Sequence, residues 1–297
     1  LNKASTNLEL LHRRVFLLLS AILIAGYLLG FQLSQNTQLL VLLLSVSLTG
    51  VPHGALDPLV ARQANLWQGG AELLVFGGVY LLIASAVFGL WMIFSDSILA
   101  ALLIMSVWHF SGDWRESLPR SQCLALAAAV ICAPGFWHTA EVTQLFSYLA
   151  PASSLLFSTI MLYLTPLCML IAIAALLGKS KPITYLRIEF AALMVGAAVL
   201  PPLLFFLLYF CLLHSPRHLL AVTRGLKLKE IVYYGLFFTG LTLALAVILF
   251  FVLPETGIGE RLTQVLFIGL LALTVPHMLI TECMTNNRQK HFLRSAQ

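Results

Sequence analysis

A chain of 297 residues that is 60% hydrophobic and only 10% charged, with a mean hydropathy of +0.95, carries more apolar surface than a water-soluble core can hide. The bilayer must be its solvent, and no stretch is left over for a soluble domain, so 1–297 reads as a single integral membrane domain. The formal charge of +5 sits in short loops between apolar segments, which makes membrane lipid an expected partner and nucleic acid not one.

Breaking the chain at charges, prolines and polar clusters predicts spans near 14–33, 37–61, 71–94, 97–114, 121–137, 152–178, 185–200, 202–224, 230–253 and 261–285. Each approaches the roughly 17 to 25 residues a helix needs to cross ~30 Å of hydrocarbon. The first run follows Lys3, Arg13 and Arg14 as a signal peptide would, but it runs long and no small-x-small cleavage site follows, so it is expected as a retained helix. His138 to Ala150 is read as a loop or re-entrant piece, and Pro201 with Pro202 as a break. The expected fold class is therefore all-α, a polytopic membrane bundle of about ten transmembrane helices.

Charge bias orients it. Loops on the N-terminal side carry Lys3, Arg13 and Arg14; Arg62; Arg115 and Arg120; Lys179, Lys181 and Arg187; Arg224, Lys227 and Lys229; and Arg288, Lys290 and Arg294. Opposite loops hold Asp96, Glu141, Glu255 and Glu260, with Arg261 as their one cation. Both termini are then expected in the cytoplasm. LTGVPHG and LTVPHM are alike but too short to establish an internal repeat. Five scattered cysteines (Cys123, Cys132, Cys168, Cys211, Cys283), with no CxxC spacing, read as packing residues.

The topology sorts the eight histidines. His12, His138 and His291 fall outside the expected helices and read as surface residues. Counted from the outer ends, His53, His218 and His277 lie about 16 residues in, and His109 and His214 about 12, placing all five at roughly 18 to 24 Å depth in the cytoplasmic half. One intramembrane histidine is often a hydrogen-bonded packing residue. Independent packing residues have no reason to share a depth, so five in one layer read as a site.

His214 and His218 stand at i and i+4, on one helix face. His53 is followed four residues later by Asp57, and His109 by Asp113; such carboxylates can accept a ring N–H and orient the other nitrogen toward a metal. Their bland reading is as helix-end residues at headgroup level. Arg217 is expected to snorkel to the cytoplasmic surface. An all-imidazole set suits Zn, Cu, Fe or Ni, and spacing alone does not choose among them. Trp108, Phe110, Phe205, Phe206, Tyr209 and Phe210 surround the histidines in sequence, an apolar setting suited to a long lipophilic substrate and oxygen chemistry, although aromatic residues are ordinary in membrane helices. Pro52, Pro216 and Pro276 adjoin four of the histidines and interrupt helix hydrogen bonding there.

VPHGALD at 51–57, WHFSGD at 108–113, HSPRH at 214–218 and VPHM at 275–278 resemble, in order and spacing, the Brp/Blh family of bacterial and archaeal β-carotene 15,15'-dioxygenases. Members often have a tryptophan and a glycine directly after the second histidine, where this chain has Phe110, Ser111 and Gly112. The resemblance implies a membrane-embedded iron enzyme that uses O2 to cleave the central double bond of β-carotene into two all-trans-retinal. It places four Fe(2+)-ligand histidines on His53, His109, His214 and His218. His277 is left either as a residue that orients the ligands from behind, as Asp57 and Asp113 would, or as a fifth ligand, and Trp108, Phe110, Tyr209 and Phe210 as substrate contacts. It further implies β-carotene drawn from the bilayer, residence in the cell inner membrane, and a link to a retinal-binding rhodopsin.

Two other classes use intramembrane histidines. A haem-binding electron carrier needs facing pairs stacked across the membrane, which one shared layer does not offer, and a transporter would line an ion path with them. A membrane di-iron desaturase needs more histidines, and an intramembrane zinc protease would carry HExxH.

Overall fold

The computed structural model describes residues 3–178, 183–254 and 256–295, with side chains described over 7–178, 183–254 and 256–282. Lys179, Lys181 and Glu255 lie outside the described residues, as do the side chains of Lys3, Cys283, Arg288, Lys290, His291 and Arg294. All regular structure among the described residues is helical, so the chain is all-α.

In chain order the helices are α1 (Lys3–Leu28), α2 (Gln35–Ser45), α3 (Val51–Ala55), α4 (Asp57–Gln63), α5 (Gly70–Ile93), α6 (Ser95–Phe110), α7 (Arg120–Trp137), α8 (Thr139–Leu149), α9 (Ser154–Leu177), α10 (Thr184–Val199), α11 (Pro202–Phe206), α12 (Ser215–Val222), α13 (Leu228–Val252) and α14 (Ile258–Ser295). A π-helical turn, Val46–Gly50, joins α2 to α3; a longer one, Leu207–His214, joins α11 to α12; and a 3-10 turn, Ser111–Trp114, follows α6.

Among the described residues, seven runs are long and apolar enough to cross a membrane: Gln35–Gln63, Gly70–Ile93, Ser95–Trp114, Ser154–Leu177, Pro202–Val222, Leu228–Val252 and Ile258–Glu282. α7 and α8, bent 106° from each other at His138, make up to eight if counted as one span. The stretch expected as a loop or re-entrant piece is thus helical over Thr139–Leu149, reached through a sharp bend. An expected ten would also need α1 and α10. α10 has 16 residues, about 24 Å at 1.5 Å each, and carries Arg187 and Glu189. The break at Pro201 is present: Leu200 and Pro201 are extended, because a residue before proline is pushed out of the helical region.

The chain packs as two compact units, one of Leu1–Thr49 with Ser95–Leu220, the other of Gly50–Phe94 with Ala221–Gln297. In the first, α7 buries small residues, Ala127, Ala129 and Ala133, which lets helices approach without a driving force from water. The tightest approach is at Gly135, where a Cβ would fall 2.5 Å from Met161 Cβ on α9. Thr143 donates to Ser158 at 2.6 Å and ties α8 to α9. Cys123, Cys132, Cys168 and Cys211 are buried thiols, in keeping with packing roles. In the second unit, Val60, Ala61, Trp67 and Ile280 form a core, edged by Arg62, which pairs with Glu230 at 2.9 Å. α13 buries no residue at all, and an apolar helix of 25 residues so exposed needs lipid around it.

Candidate metal centre

Two histidines of the first unit stand where a helix ends or changes pitch. His109 is the penultimate residue of α6, and His214 closes the longer π turn. Pro216 accounts for the change of pitch near His214: it has no N–H for the Leu212 carbonyl, and its ring crowds that oxygen. π turns of this kind recur at functional sites.

His214 is 2% exposed, and its Nδ1 lies 3.1 Å from both oxygens of Asp113. A carboxylate accepts, so Nδ1 carries the proton and Nε2 keeps its lone pair. Tyr209 donates its hydroxyl to Asp113 Oδ2 at 2.8 Å, completing a Tyr–Asp–His chain. His214 Nε2 then faces His109 Nε2 at 3.2 Å. Two imidazoles bound to one metal at ~2.1 Å are ~3.0 Å apart at a right angle and ~3.4 Å apart at the tetrahedral angle, so the spacing fits a shared ion. His218 lies close by, its ring 6.2 Å from that of His214 and 6.3 Å from that of His109.

The second unit repeats the arrangement of one aspartate accepting from a histidine and a tyrosine. His277 Nδ1 donates to Asp57 Oδ1 at 2.7 Å, and Tyr80 donates to Asp57 Oδ2 at 2.9 Å. Tyr80 also lies 3.2 Å from the Leu273 carbonyl. His53 is oriented by backbone, its Nδ1 donating to the Gly50 carbonyl, and its ring meets that of His277 edge to face at 5.2 Å. His53 and His277, like His214, therefore present Nε2 as the electron-pair donor.

The two carboxylates differ from expectation in their partners. Asp57 was expected beside His53 and Asp113 beside His109; they serve His277 and His214 instead. The i, i+4 relation holds only in an unbroken α-helix, and both intervals are broken, by Leu56 between α3 and α4 and by the 3-10 turn after Phe110. Both are buried within the protein: Asp57 is 1% exposed, and the Asp113 side chain 6%.

Two surface expectations are corrected as well. Arg217 does not snorkel. Its Nη2 donates to the buried carboxylate of Glu189 at 2.9 Å and its Nη1 to the Asp113 carbonyl at 3.2 Å, since an acid inside the bundle needs a cation beside it. His12 lies within α1, half-buried, and its Nε2 is 3.0 Å from the Leu212 carbonyl. His138 caps the α7–α8 bend, 3.8 Å from Glu141.

Among the expected substrate contacts, Phe110, Tyr209 and Phe210 are buried around His214, with Phe110 edge-on at 4.6 Å and Phe210 stacked at 5.8 Å. Trp108 is half-exposed, with the Arg120 guanidinium 3.5 Å above its ring. Sequence reasoning missed Tyr80, Glu189 and the Gly50 carbonyl. A lone tyrosine in an apolar helix and a backbone oxygen carry no local signature, but a glutamate inside an apolar run was a readable signal.

Fold and site together define a polytopic helical membrane protein whose buried histidines are held as Nε2 donors. The chain belongs to the β-carotene 15,15'-dioxygenase family, whose model, described as Beta-carotene 15,15'-dioxygenase, matches residues 44–285. It is 30% identical over 250 residues, 78% of this chain and 89% of the relative, to the Beta-carotene 15,15'-dioxygenase of uncultured marine bacterium 66A03. No solved structure matches it.

Proposed function

We propose that the chain is an iron(II) β-carotene 15,15'-dioxygenase, one catalytic domain in the cell inner membrane, with His53, His109, His214 and His218 as ligands. The observation that carries this reading is the pair of Nε2 atoms facing each other at 3.2 Å, with the tautomer of His214 set by Asp113. Family membership supports the carotenoid substrate.

Iron(II) held by neutral imidazoles supplies the activation of dioxygen. The chain's own residues hold the donors and exclude water. Asp113 and Tyr209 keep the His214 proton on Nδ1, while Phe110 and Phe210 keep its ring in apolar surroundings. β-Carotene enters from the bilayer, with Trp108 and the aromatic face around Tyr209 and Phe210 as its contacts. One oxygen atom added to each carbon of the central double bond, with scission of that bond, yields two retinal molecules, and no further co-reactant is needed. A functional link to a retinal-binding rhodopsin, as the resemblance implies, is part of the proposal. Ten spans, counting α1 and α10, with both termini and the metal site toward the cytoplasm, are the proposed topology.

The test is metal analysis of the purified protein, then incubation with β-carotene under oxygen and chromatography. About one iron per chain and two retinal molecules per carotene are expected. Iron-loaded protein that leaves β-carotene intact would overturn the substrate, and retinal formation by metal-free protein would overturn the cofactor.

A further inference from the structure

α1 lies wholly before residue 44, where the family match begins. Of two adjacent residues on it, His12 nevertheless reaches the π turn that leads into His214, and Arg13 reaches Glu189 on α10, the partner of Arg217. His12 Nε2 is 3.0 Å from the Leu212 carbonyl oxygen, and a carbonyl only accepts, so the imidazole donates. In an α-helix that oxygen would take the N–H of residue 216, which is Pro216 and has none. Arg13 Nε lies 3.8 Å from Glu189 Oε1, while Glu189 Oε2 accepts from Arg217 at 2.9 Å. Leu212 precedes His214 by two residues, and Arg217 lies between His214 and His218. The HSPRH run is thus held just before it begins by α1 directly, and within it by Glu189 of α10, beside which α1 places Arg13.

We propose that His12 is a positioning residue of the metal centre. By donating to the carbonyl that Pro216 leaves without its helical partner, it holds the π turn that presents His214, and so sets metal affinity without touching the metal. Arg13 is the second arm, acting through Glu189 and Arg217. The proposal rests on the reading of His109, His214 and His218 as ligands.

Its test replaces the donor while keeping the bulk. His12→Phe, or His12→Leu if the first does not fold, removes the N–H; His12→Gln keeps one on an amide of similar reach. The purified full chain is titrated with cobalt(II) against a competing chelator, following the absorption of the bound ion, and iron-loaded protein is assayed in parallel for kcat and KM. The donor-free variant is expected to bind cobalt about tenfold more weakly, in the range that residues orienting metal ligands command, and to lose kcat with KM unchanged. His12→Gln is expected to recover cobalt affinity to within about threefold of the parent. Wild-type affinity in the donor-free variant overturns the proposal alone, and so does a His12→Gln as weak as His12→Phe, because packing rather than the hydrogen bond would then be responsible. A parent chain that binds no cobalt and retains no iron overturns the metal reading itself, and this proposal with it.

Discussion

At the residue scale, the histidines matter less for their number than for which nitrogen each presents. Asp113 and Asp57 are buried acids that each accept from one histidine and one tyrosine, and this fixes the proton on Nδ1 of His214 and His277. Asp113→Asn is expected to weaken iron binding about 10- to 100-fold with helicity unchanged, read as metal content after dialysis and far-UV circular dichroism. His277→Ala is expected to keep its iron and turn over more slowly, because its Nδ1 and Tyr80 together hold Asp57 beside the break that follows His53; loss of iron would instead make it a fifth ligand. The acids were legible in the sequence as groups able to orient imidazoles. Their true partners were not, because pairing across distant segments leaves no mark in local spacing.

At the element scale, the decisive features are the places where a helix stops being an α-helix. Pro52 and Pro216 each stand next to a π turn, and His53 and His214 sit at those same points. Pro216→Ala restores a backbone N–H to the Leu212 carbonyl and favours regular α-helix, which turns His214 away from Asp113. About tenfold weaker metal binding in a folded protein is expected, measured by chelator competition. A different dependence governs the buried pair of Arg217 and Glu189. Arg217→Leu strands a carboxylate whose side chain is 3% exposed, and a loss of about 3 kcal/mol is expected in unfolding experiments in detergent, part of it recovered by adding Glu189→Leu. Gly135→Ala forces α7 from α9 at Met161 and is expected to cost about 1–3 kcal/mol by the same measurement.

At the scale of the whole molecule, a metal that binds only the folded chain must stabilise it. At 100 times its dissociation constant the gain is about 2.7 kcal/mol, so a chelator is expected to lower the thermal midpoint of the parent and to leave unchanged that of a variant lacking both His109 and His214. The internal plan of each compact unit has the same logic, an aspartate that accepts from one tyrosine and one histidine: Tyr209, Asp113 and His214 in one, Tyr80, Asp57 and His277 in the other.

By itself the sequence determined the solvent, the all-helical class, the break at Pro201 and the placement of His53, His109, His214, His218 and His277 within helical segments. These follow from composition and from single-residue stereochemistry, which act locally and need no fold to be read. Tertiary structure alone decided that Arg217 turns inward to Glu189, that His12 reaches the Leu212 carbonyl, and that each aspartate serves a histidine from another helix. A buried charge or an orphaned carbonyl takes whatever partner packing brings within about 3 Å, and the helices that bring it can lie two hundred residues away in the chain.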